Sequence, residues 1–394
     1  MKPARIIFIK GPIETLTFFS LQIAEALEEQ GLETWFWDMK SPLDSRETFL
    51  TFHDFEHTVL LTFNFIGLNG ESQFQSEPRV TLWEQYHIRI CCIMVDHPMY
   101  YFRQLSARHS SLTLFCIDWD HQAFMEHFYP EYGRVHFLPL AGTMLPEPRI
   151  PYSERETDVI FAGNYAAPEN LTRHIRHMDE ESREFYFDLI QEFLSRPDQP
   201  LEQVLIRRLK EEFPQITREE TLSCLHNMTF IDLYVRSWFR RNIILSLAEE
   251  GIPVLVLGKD WELSGCSRPK NLLLAGQQDS RTCLSRMRHA KISVNIMPWF
   301  KKGAHDRIFN SMLQGCAVVT DYSDYLREIL KEGQDSMEFT LEQYHEIGGK
   351  VRWLLSHPQE AEAMAEEGYR NASRQHTWKN RACTLLEIIS HSNE

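Results

Sequence analysis

The sequence predicts an α/β protein of two Rossmann-like halves, with a helical insertion in the second. Three observations predict it. Short apolar runs of strand character alternate with amphipathic helical stretches in both halves, the pattern of a parallel sheet covered by helices. The alternation stops at a Pro-rich stretch, Pro139–Ser153, and then restarts. A chain of 394 residues is long enough for two or three domains with substantial cores.

The elements follow in order. Arg5–Lys10 reads as a strand, Leu16–Gln30 as an amphipathic helix and Glu33–Trp37 as a second strand. Thr58–Phe63 is another strand, followed by a polar loop rich in Asn, Gly, Glu and Ser. Ile90–Val95, Leu112–Ile117 and Val135–Leu138 complete the first half. After the Pro-rich linker the pattern resumes with Asp158–Ala162. Glu169 to Leu247 has helical periodicity, many charges and few strand signals, so it reads as a helical insertion. Strands return at Val254–Leu257, Leu272–Leu274, Ser293–Met297 and Ala317–Thr320, and Leu341–Ser390 is helical. The domains are expected at 1–150 and 151–375, with a last segment at 376–394.

Composition narrows the function. Hydrophobic content of 43% and charged content of 25% fit a globular chain. No apolar run has the length to span a bilayer, and the amino end reads as a first strand rather than a signal peptide. The formal charge of -15 argues against general nucleic-acid binding, while leaving room for a local basic pocket. The eight cysteines form no CxxC pair and read as small core residues, which suggests a reducing cytoplasm.

The most informative stretch is Ile292–Leu326. It reads as strand, loop, helix from about His305 to Gln314, Gly turn at Gly315, and strand. A helix start carries unpaired N–H groups and partial positive charge. Lys301, Lys302 and His305 add side-chain donors, and Gly303 permits close approach of a ligand to the backbone. The combination suits a phosphate or diphosphate. Arg307, Asn310 and Ser311 share one helix face, where an Arg pairs with phosphate and an Asn hydrogen-bonds a ribose. The competing interpretation is an ordinary βαβ crossover with a solvated basic loop.

The run GAHDRIFNSMLQGCAVVTDYSDYL resembles the donor-binding segment of the CgeB-like, group 1 glycosyltransferases of the GT-B fold. The Asp306–Phe309 run is similar to that branch's D/E-R-x-F arrangement. The wider group has two Glu residues eight positions apart; here Lys302 and Asn310 stand there. VDHPMYY (Val95–Tyr101), LPLAG (Leu138–Gly142), TDVIFAGNY (Thr157–Tyr165) and IPVLVLGKDWE (Ile252–Glu262) resemble further family motifs in the same order, over most of the chain. The resemblance implies two Rossmann-like domains facing across a cleft, an acceptor-side first domain, a nucleotide-sugar-binding second domain, and a final helix, around Trp378–Ile389, crossing back to the first.

Ligands in such folds gather at the carboxyl ends of strands. Gly11, with Pro12, is at least a tight turn and, on the functional reading, lines the acceptor side. Asp96 and His97 follow a strand directly. They are a general-base pair, with His97 as the cleft-facing group and Asp96 as its orienting partner or competitor; otherwise Asp96 is a helix cap and His97 a packed side chain. Gly163 and Asn164, before Tyr165, offer backbone N–H groups to a diphosphate, or form a generic turn. Lys259 pairs with the donor phosphate or is a surface lysine. Trp261 reads as core. With Lys302, Gly303, His305, Asp306, Arg307 and Asn310 these make the expected donor site.

Three patterns read as decoys. His53 and His57 lack the Glu that a zinc-protease helix needs. Asp118 and Asp120 read as a helix cap rather than a metal-binding DxD. Gly348–Gly349 has no preceding strand. The expectation is therefore a metal-independent transferase, with no bound cofactor and a nucleotide-diphosphate sugar as co-substrate. Its acceptor is a hydroxyl on a glycan, surface polysaccharide or protein, with no nucleic-acid partner and no membrane-spanning segment, though peripheral membrane association is allowed. The Lys302 and Asn310 departures keep open a non-catalytic nucleotide-sugar sensor or scaffold. A periplasmic sugar-binding protein also has two α/β lobes, but the absent signal and scattered cysteines count against it.

Overall fold

A computed structural model describes residues 3–78, 80–107, 112–173 and 175–391. The chain forms two compact units, Met1–Ala141 with His376–Glu394, and Gly142–Gln375.

The first unit holds strands β1 (Arg5–Lys10), β2 (Glu33–Asp38), β3 (Thr58–Phe63), β4 (Gln75–Glu77), β5 (Val80–Thr81), β6 (Arg89–Met94), β7 (Leu112–Cys116) and β8 (His136–Phe137). Six of them make a parallel sheet in the order β2-β1-β3-β6-β7-β8, and β4 and β5 pair as a small hairpin. All six residues of β3 are buried, as a central strand covered on both faces requires. In β6, Cys91 and Cys92 fill core positions between Ile90 and Ile93. Under β2 lies an aromatic cluster: Trp37 has ring centroids of Phe49, Phe74 and Trp83 at 5.9, 5.0 and 5.8 Å. Helix Pro42–Leu50 contributes Phe49. It gives little sequence signal because its Leu43 and Leu50 face solvent, 76% and 50% exposed.

The carboxyl-terminal helix, Trp378–His391, belongs to this unit. Trp378 stacks obliquely on Phe19 of helix Glu14–Glu28, centroids 4.7 Å apart. Arg381 donates to the carbonyls of Pro139 (2.7 Å) and Leu140 (3.2 Å), and Arg89 donates to that of Ile389 (3.1 Å). Trp378, Leu385 and Ile389 are buried, each worth about 1.5–3 kcal/mol of apolar transfer.

The second unit holds β9 (Thr157–Ala162), β10 (Val254–Leu257), β11 (Leu272–Leu274), β12 (Ala290–Asn295), β13 (Ala317–Asp321) and β14 (Met337–Phe339). They form a parallel sheet in the order β11-β10-β9-β12-β13-β14. Three-residue β14 is the strand whose pattern was too short to read. The helical stretch after β9 is not continuous. It divides into Pro168–Leu171, Glu180–Ser195, Leu201–Glu212, Arg218–Asn227 and Thr229–Glu249, with a 3-10 turn at Ile175–His177. Caps set the breaks: Asp179 accepts from Ser182 N, and Thr217 forms a capping box with Glu220. The expected helical end likewise divides into Ile347–Ser356, Pro358–Gln375 and Trp378–His391.

In each sheet the strand order reverses at one place, between β1 and β3 and between β9 and β12. At β9's end the chain passes very close to Gly258, where a Cβ would lie 2.1 Å from the Gly163 carbonyl oxygen. Gly258→Ala is therefore expected to cost about 1–3 kcal/mol through overpacking, read as a lower urea midpoint, while Gly349→Ala, where a Cβ meets nothing within 4 Å, is expected to leave the midpoint unchanged or raised.

Candidate functional site

Helix Asp306–Leu313 begins just past the end of β12. His305 occupies its N-cap position and Gly315, at φ 76°, turns the chain out after it. Ile308, Phe309, Met312 and Leu313 fill the core, which explains the strong apolar periodicity of the segment. His305 Nδ1 lies 2.7 Å from Asp306 Oδ1 and 3.2 Å from Arg307 N. The shorter contact favours the Nδ1–H tautomer, leaving Nε2 to face the Arg307 guanidinium at 3.4 Å. Burial, followed by the charge on Arg307, holds the His305 pKa at about 4. The ring is thus neutral near pH 7. The sequence suggested a donor beside two lysines; the folded chain makes His305 a neutral ring at the N-cap position, its Nδ1–H turned to Asp306 and its Nε2 to Arg307.

Arg307 is only 7% exposed. It donates to Asn295 Oδ1 at 3.1 Å, and Asn295 is itself oriented by Thr320 Oγ1 at 2.9 Å. Its guanidinium also lies 5.3 Å from the Phe161 ring centre. It sits beside Gly163, where a Cβ would come within 3.5 Å of Nη2. The site therefore lies at the reversal between β9 and β12, where open α/β sheets bind ligands.

Two further arginines reach the same place from helix Thr229–Glu249. Arg240 Nη1 donates to the Asn164 carbonyl at 3.4 Å, and its buried Nε meets no hydrogen-bond partner among the described residues. Burial, then repulsion from Arg307 and Arg236, holds the Arg240 pKa well below its usual value. Arg236 bonds Asp232 at 3.2 Å and lies 4.9 Å from the Trp299 ring centre. Sequence reasoning missed both. The available signal was the i, i+4, i+8 stripe Asp232, Arg236, Arg240 on a helix whose Val235, Phe239 and Ile243 are buried.

Three carboxylates, Asp232, Asp306 and Asp321, act on the cluster through their charge, but few bond it directly. Asp232 serves Arg236, whereas the hydrogen bonds of Arg307 and Arg240 go to neutral oxygens and a ring nitrogen. Asp321, at the end of β13, accepts from Met297 N at 2.8 and 3.1 Å, yet burial raises its pKa to about 7. Guanidinium groups stay protonated regardless. Chemically, the arrangement can donate to an anion with several acceptor oxygens.

Other predicted donor residues have different work. Asn310 Oδ1 accepts from Thr143 N (2.8 Å) and its Nδ2 donates to Asp306 Oδ2 (2.8 Å), so its amide is engaged within the protein rather than open to a ribose. The Gly163 N–H is spent on Leu257 O (2.8 Å), not on a ligand, while its carbonyl accepts from Trp261 Nε1 (2.7 Å). Asn164 Oδ1 accepts from Lys259 N (3.1 Å). Trp261 is fully buried, as expected of a core residue. The Lys259 side chain is exposed, Lys302 is half-buried, and buried Gly303 accepts from Ser323 Oγ at 2.6 Å. Lys301 donates to the Pro197 carbonyl.

In the first unit, Gly11 follows β1, and Ile66 lies 3.3 Å from where its Cβ would be. His97 is 8% exposed; its Nδ1 accepts from Met99 N at 3.1 Å, capping the 3-10 turn Pro98–Tyr101, and its ring packs on His121 and Phe124. Of the pair, Asp96 is therefore the outward one and His97 the packed one, the reverse of what the sequence suggested. Asp118 caps helix Trp119–Phe128 by accepting from Asp120 N at 2.7 Å. His57 pairs with Asp54 at 2.8 Å. Gly348 and Gly349 lie within helix Ile347–Ser356.

The depressed pKa of His305 has a consequence for stability. The folded state releases this proton at about 4, the unfolded chain at about 6.5. Between those values only the unfolded chain takes up the proton, so acidification weakens folding. His305→Asn supplies a competent cap and removes the titration. From pH 7 to pH 5 the variant is expected to lose less unfolding free energy than the parent, measured by urea denaturation at both pH values.

Comparisons with known proteins agree with this architecture. Residues 236–387 match a family model described as glycosyl transferase-like. No curated protein sequence matches the chain. Among solved structures, Anabaena Alr3699/HepE in complex with UDP-glucose is similar at a TM-score of 0.57 and 10% identity, covering 98% of this chain and 99% of that one. Sucrose-phosphate synthase from Thermosynechococcus elongatus gives 0.55 and 10%, covering 98% of each chain. A glycosyltransferase from Rickettsia africae gives 0.51 and 8%, covering 100% of each. The chain thus has the fold of the GT-B glycosyltransferases, with two parallel-sheet α/β units of six strands each.

Proposed function

We propose that this protein transfers a glycosyl group from a nucleotide-diphosphate sugar to a hydroxyl acceptor, as a group 1-type glycosyltransferase of the CgeB-like kind. The observation that carries the proposal is the convergence of Arg240 and Arg307 beside Gly163–Asn164, with Arg236 near enough to repel both and no carboxylate hydrogen-bonded to Arg240 or Arg307 among the described residues. A diphosphate offers these guanidinium groups the charged acceptors they lack. In the reaction, the bond from the sugar's anomeric carbon to the phosphate oxygen breaks and its electron pair leaves with the nucleotide diphosphate. A bond from that carbon to the acceptor oxygen forms, and the hydroxyl proton passes to a base if the carbon is inverted or to the departing phosphate if it is retained; Asp96 is our candidate for the base in the first case and for positioning the acceptor in the second. Negative charge grows on the departing diphosphate, so fixed guanidinium groups stabilise the transition state more than the ground state. They supply the charge that a divalent cation supplies elsewhere, which makes the proposed reaction metal-independent.

The similarity to a structure in complex with UDP-glucose supports a nucleotide sugar as donor. We take the acceptor to be a glycan, surface polysaccharide or protein. Eight free cysteines fit a reducing compartment, and we place the activity in the cytoplasm. No helix among the described residues is long and apolar enough to cross a membrane. One observation favours a second reading. Asn310 stands where the wider group has a sugar-reading Glu, and its amide is engaged with Thr143 and Asp306. A nucleotide-sugar sensor would keep the arginine cluster and dispense with that contact.

Two measurements test these readings. Thermal shift against UDP-, GDP- and dTDP-sugars is expected to reveal a stabilising donor through mass action, and nucleotide release on incubation separates enzyme from sensor. Arg240→Ala and Arg307→Ala are each expected to weaken nucleotide-diphosphate binding roughly 10- to 100-fold, the value of a lost charge-assisted hydrogen bond. Unchanged calorimetric affinity in both variants would remove the phosphate assignment.

A further inference from the structure

The first unit carries its own polar apparatus at the reversal between β1 and β3, and it is built on disfavoured backbone. Asn64 and Phe65, directly after β3, have φ of 49° and 60°. Asn tolerates the left-handed region; a bulky aromatic rarely enters it. Strained residues of this kind persist only where surrounding structure over-determines them, and they gather at functional sites.

The supports are explicit. The Phe65 N–H donates to Cys92 Sγ at 3.3 Å, and its carbonyl accepts from Asn69 Nδ2 at 2.8 Å. The Phe65 ring is fully buried, 5.3 Å from the Tyr101 ring. Glu71 accepts from Gly67 N (2.9 Å) and Asn69 N (2.8 Å), and Trp83 Nε1 donates to the Gly67 carbonyl (2.9 Å).

The turn delivers the Asn64 side chain to one place. Its Oδ1 accepts from Val95 N at 2.9 Å, which fixes the amide's orientation. Its Nδ2 then donates to Asp96 Oδ2 at 3.2 Å. Tyr101 OH donates to the same oxygen, also at 3.2 Å. Asp96 is half-buried, and its Oδ1 has no partner among the described residues. One carboxylate oxygen is held twice and the other meets no protein donor among the described residues.

Building on the reading of Asp96 as the acceptor-side base, we infer that Asn64 and Tyr101 are positioning residues. They fix the Asp96 carboxylate so that Oδ1 accepts a hydrogen bond from an acceptor hydroxyl. Donated hydrogen bonds favour the ionised form of a carboxylate, the form a base requires. Tyr101 touches it directly, and burial holds the Tyr101 pKa well above its usual value, so the hydroxyl keeps the proton it donates.

Asn64→Asp is the decisive substitution. It suits the left-handed backbone and still accepts from Val95 N, but replaces a donor with a second carboxylate. Asp96 should then titrate higher by about one pH unit or more, as for carboxylates sharing a site. Tyr101→Phe should shift it the same way by less, and Asn64→Gly, which relaxes the backbone, should do likewise. The titration is read from the γ-carboxyl carbon resonance of Asp96 in labelled full-length protein, assigned by its loss in Asp96→Asn. The acid limb of sugar transfer from the donor to glycerol should move with it, while calorimetric affinity for UDP stays at the parent value. An Asp96 resonance that titrates identically in all three variants overturns the inference. So does a shifted resonance with an unmoved acid limb. Failure of the parent protein to bind any nucleotide diphosphate sinks the donor assignment instead, and the Asp96 titration still decides whether Asn64 and Tyr101 position the carboxylate.

Discussion

The second unit depends on keeping three guanidinium groups together in a place that water only partly reaches. Arg236 and Arg240 come from one helix and Arg307 from another, and both helices are anchored by apolar faces that cannot rotate away. Like charges gathered this way raise the free energy of the empty site. Hydrogen bonds to Asn295, Asn164 and His305 hold the geometry without cancelling the charge. Asp232, Asp306 and Asp321 offset part of the repulsion, and the proposed diphosphate would offset more of it. Thr320, Asn295 and Arg307 form one chain of orientation, so the Arg307 guanidinium is set by the sheet rather than by a loose loop.

The helix that begins at Asp306 contributes differently from what its N-terminus suggests. His305 is neutral, Asp306 is held by His305 and Asn310, and Asn310 is tied to Thr143. These bonds make the first turn rigid. Positive potential comes chiefly from Arg307 and from the two arginines opposite, with the helix dipole in support.

Each unit places its polar groups at the reversal of its own strand order. In the first, Asn64 follows β3 and Gly11 follows β1; in the second, Gly163 follows β9 and Asn295 ends β12. At such a place two neighbouring loops leave in opposite directions, and the backbone there is open to a ligand. The two sites differ in chemistry. One gathers cations, the other holds a single carboxylate by neutral donors.

The sequence by itself determined the α/β class, the centres of the main strands and the core face of helix Asp306–Leu313. These follow from local periodicity and from residues whose conformational preference needs no partner. It also identified Arg307 as a polar group near a helix start and the Asp96–His97 pair as polar groups at a strand end. Only the tertiary structure decided what those groups do. Arg236 and Arg240 lie some seventy positions before Arg307 in the chain, and nothing local says that a stripe on a long helix ends beside Gly163. Burial decided that His305 is uncharged, and a cap on Met99 decided that His97 packs inward while Asp96 faces out. Charge state and hydrogen-bond partnership depend on desolvation and on neighbours distant in sequence, and neither quantity exists until the chain has folded.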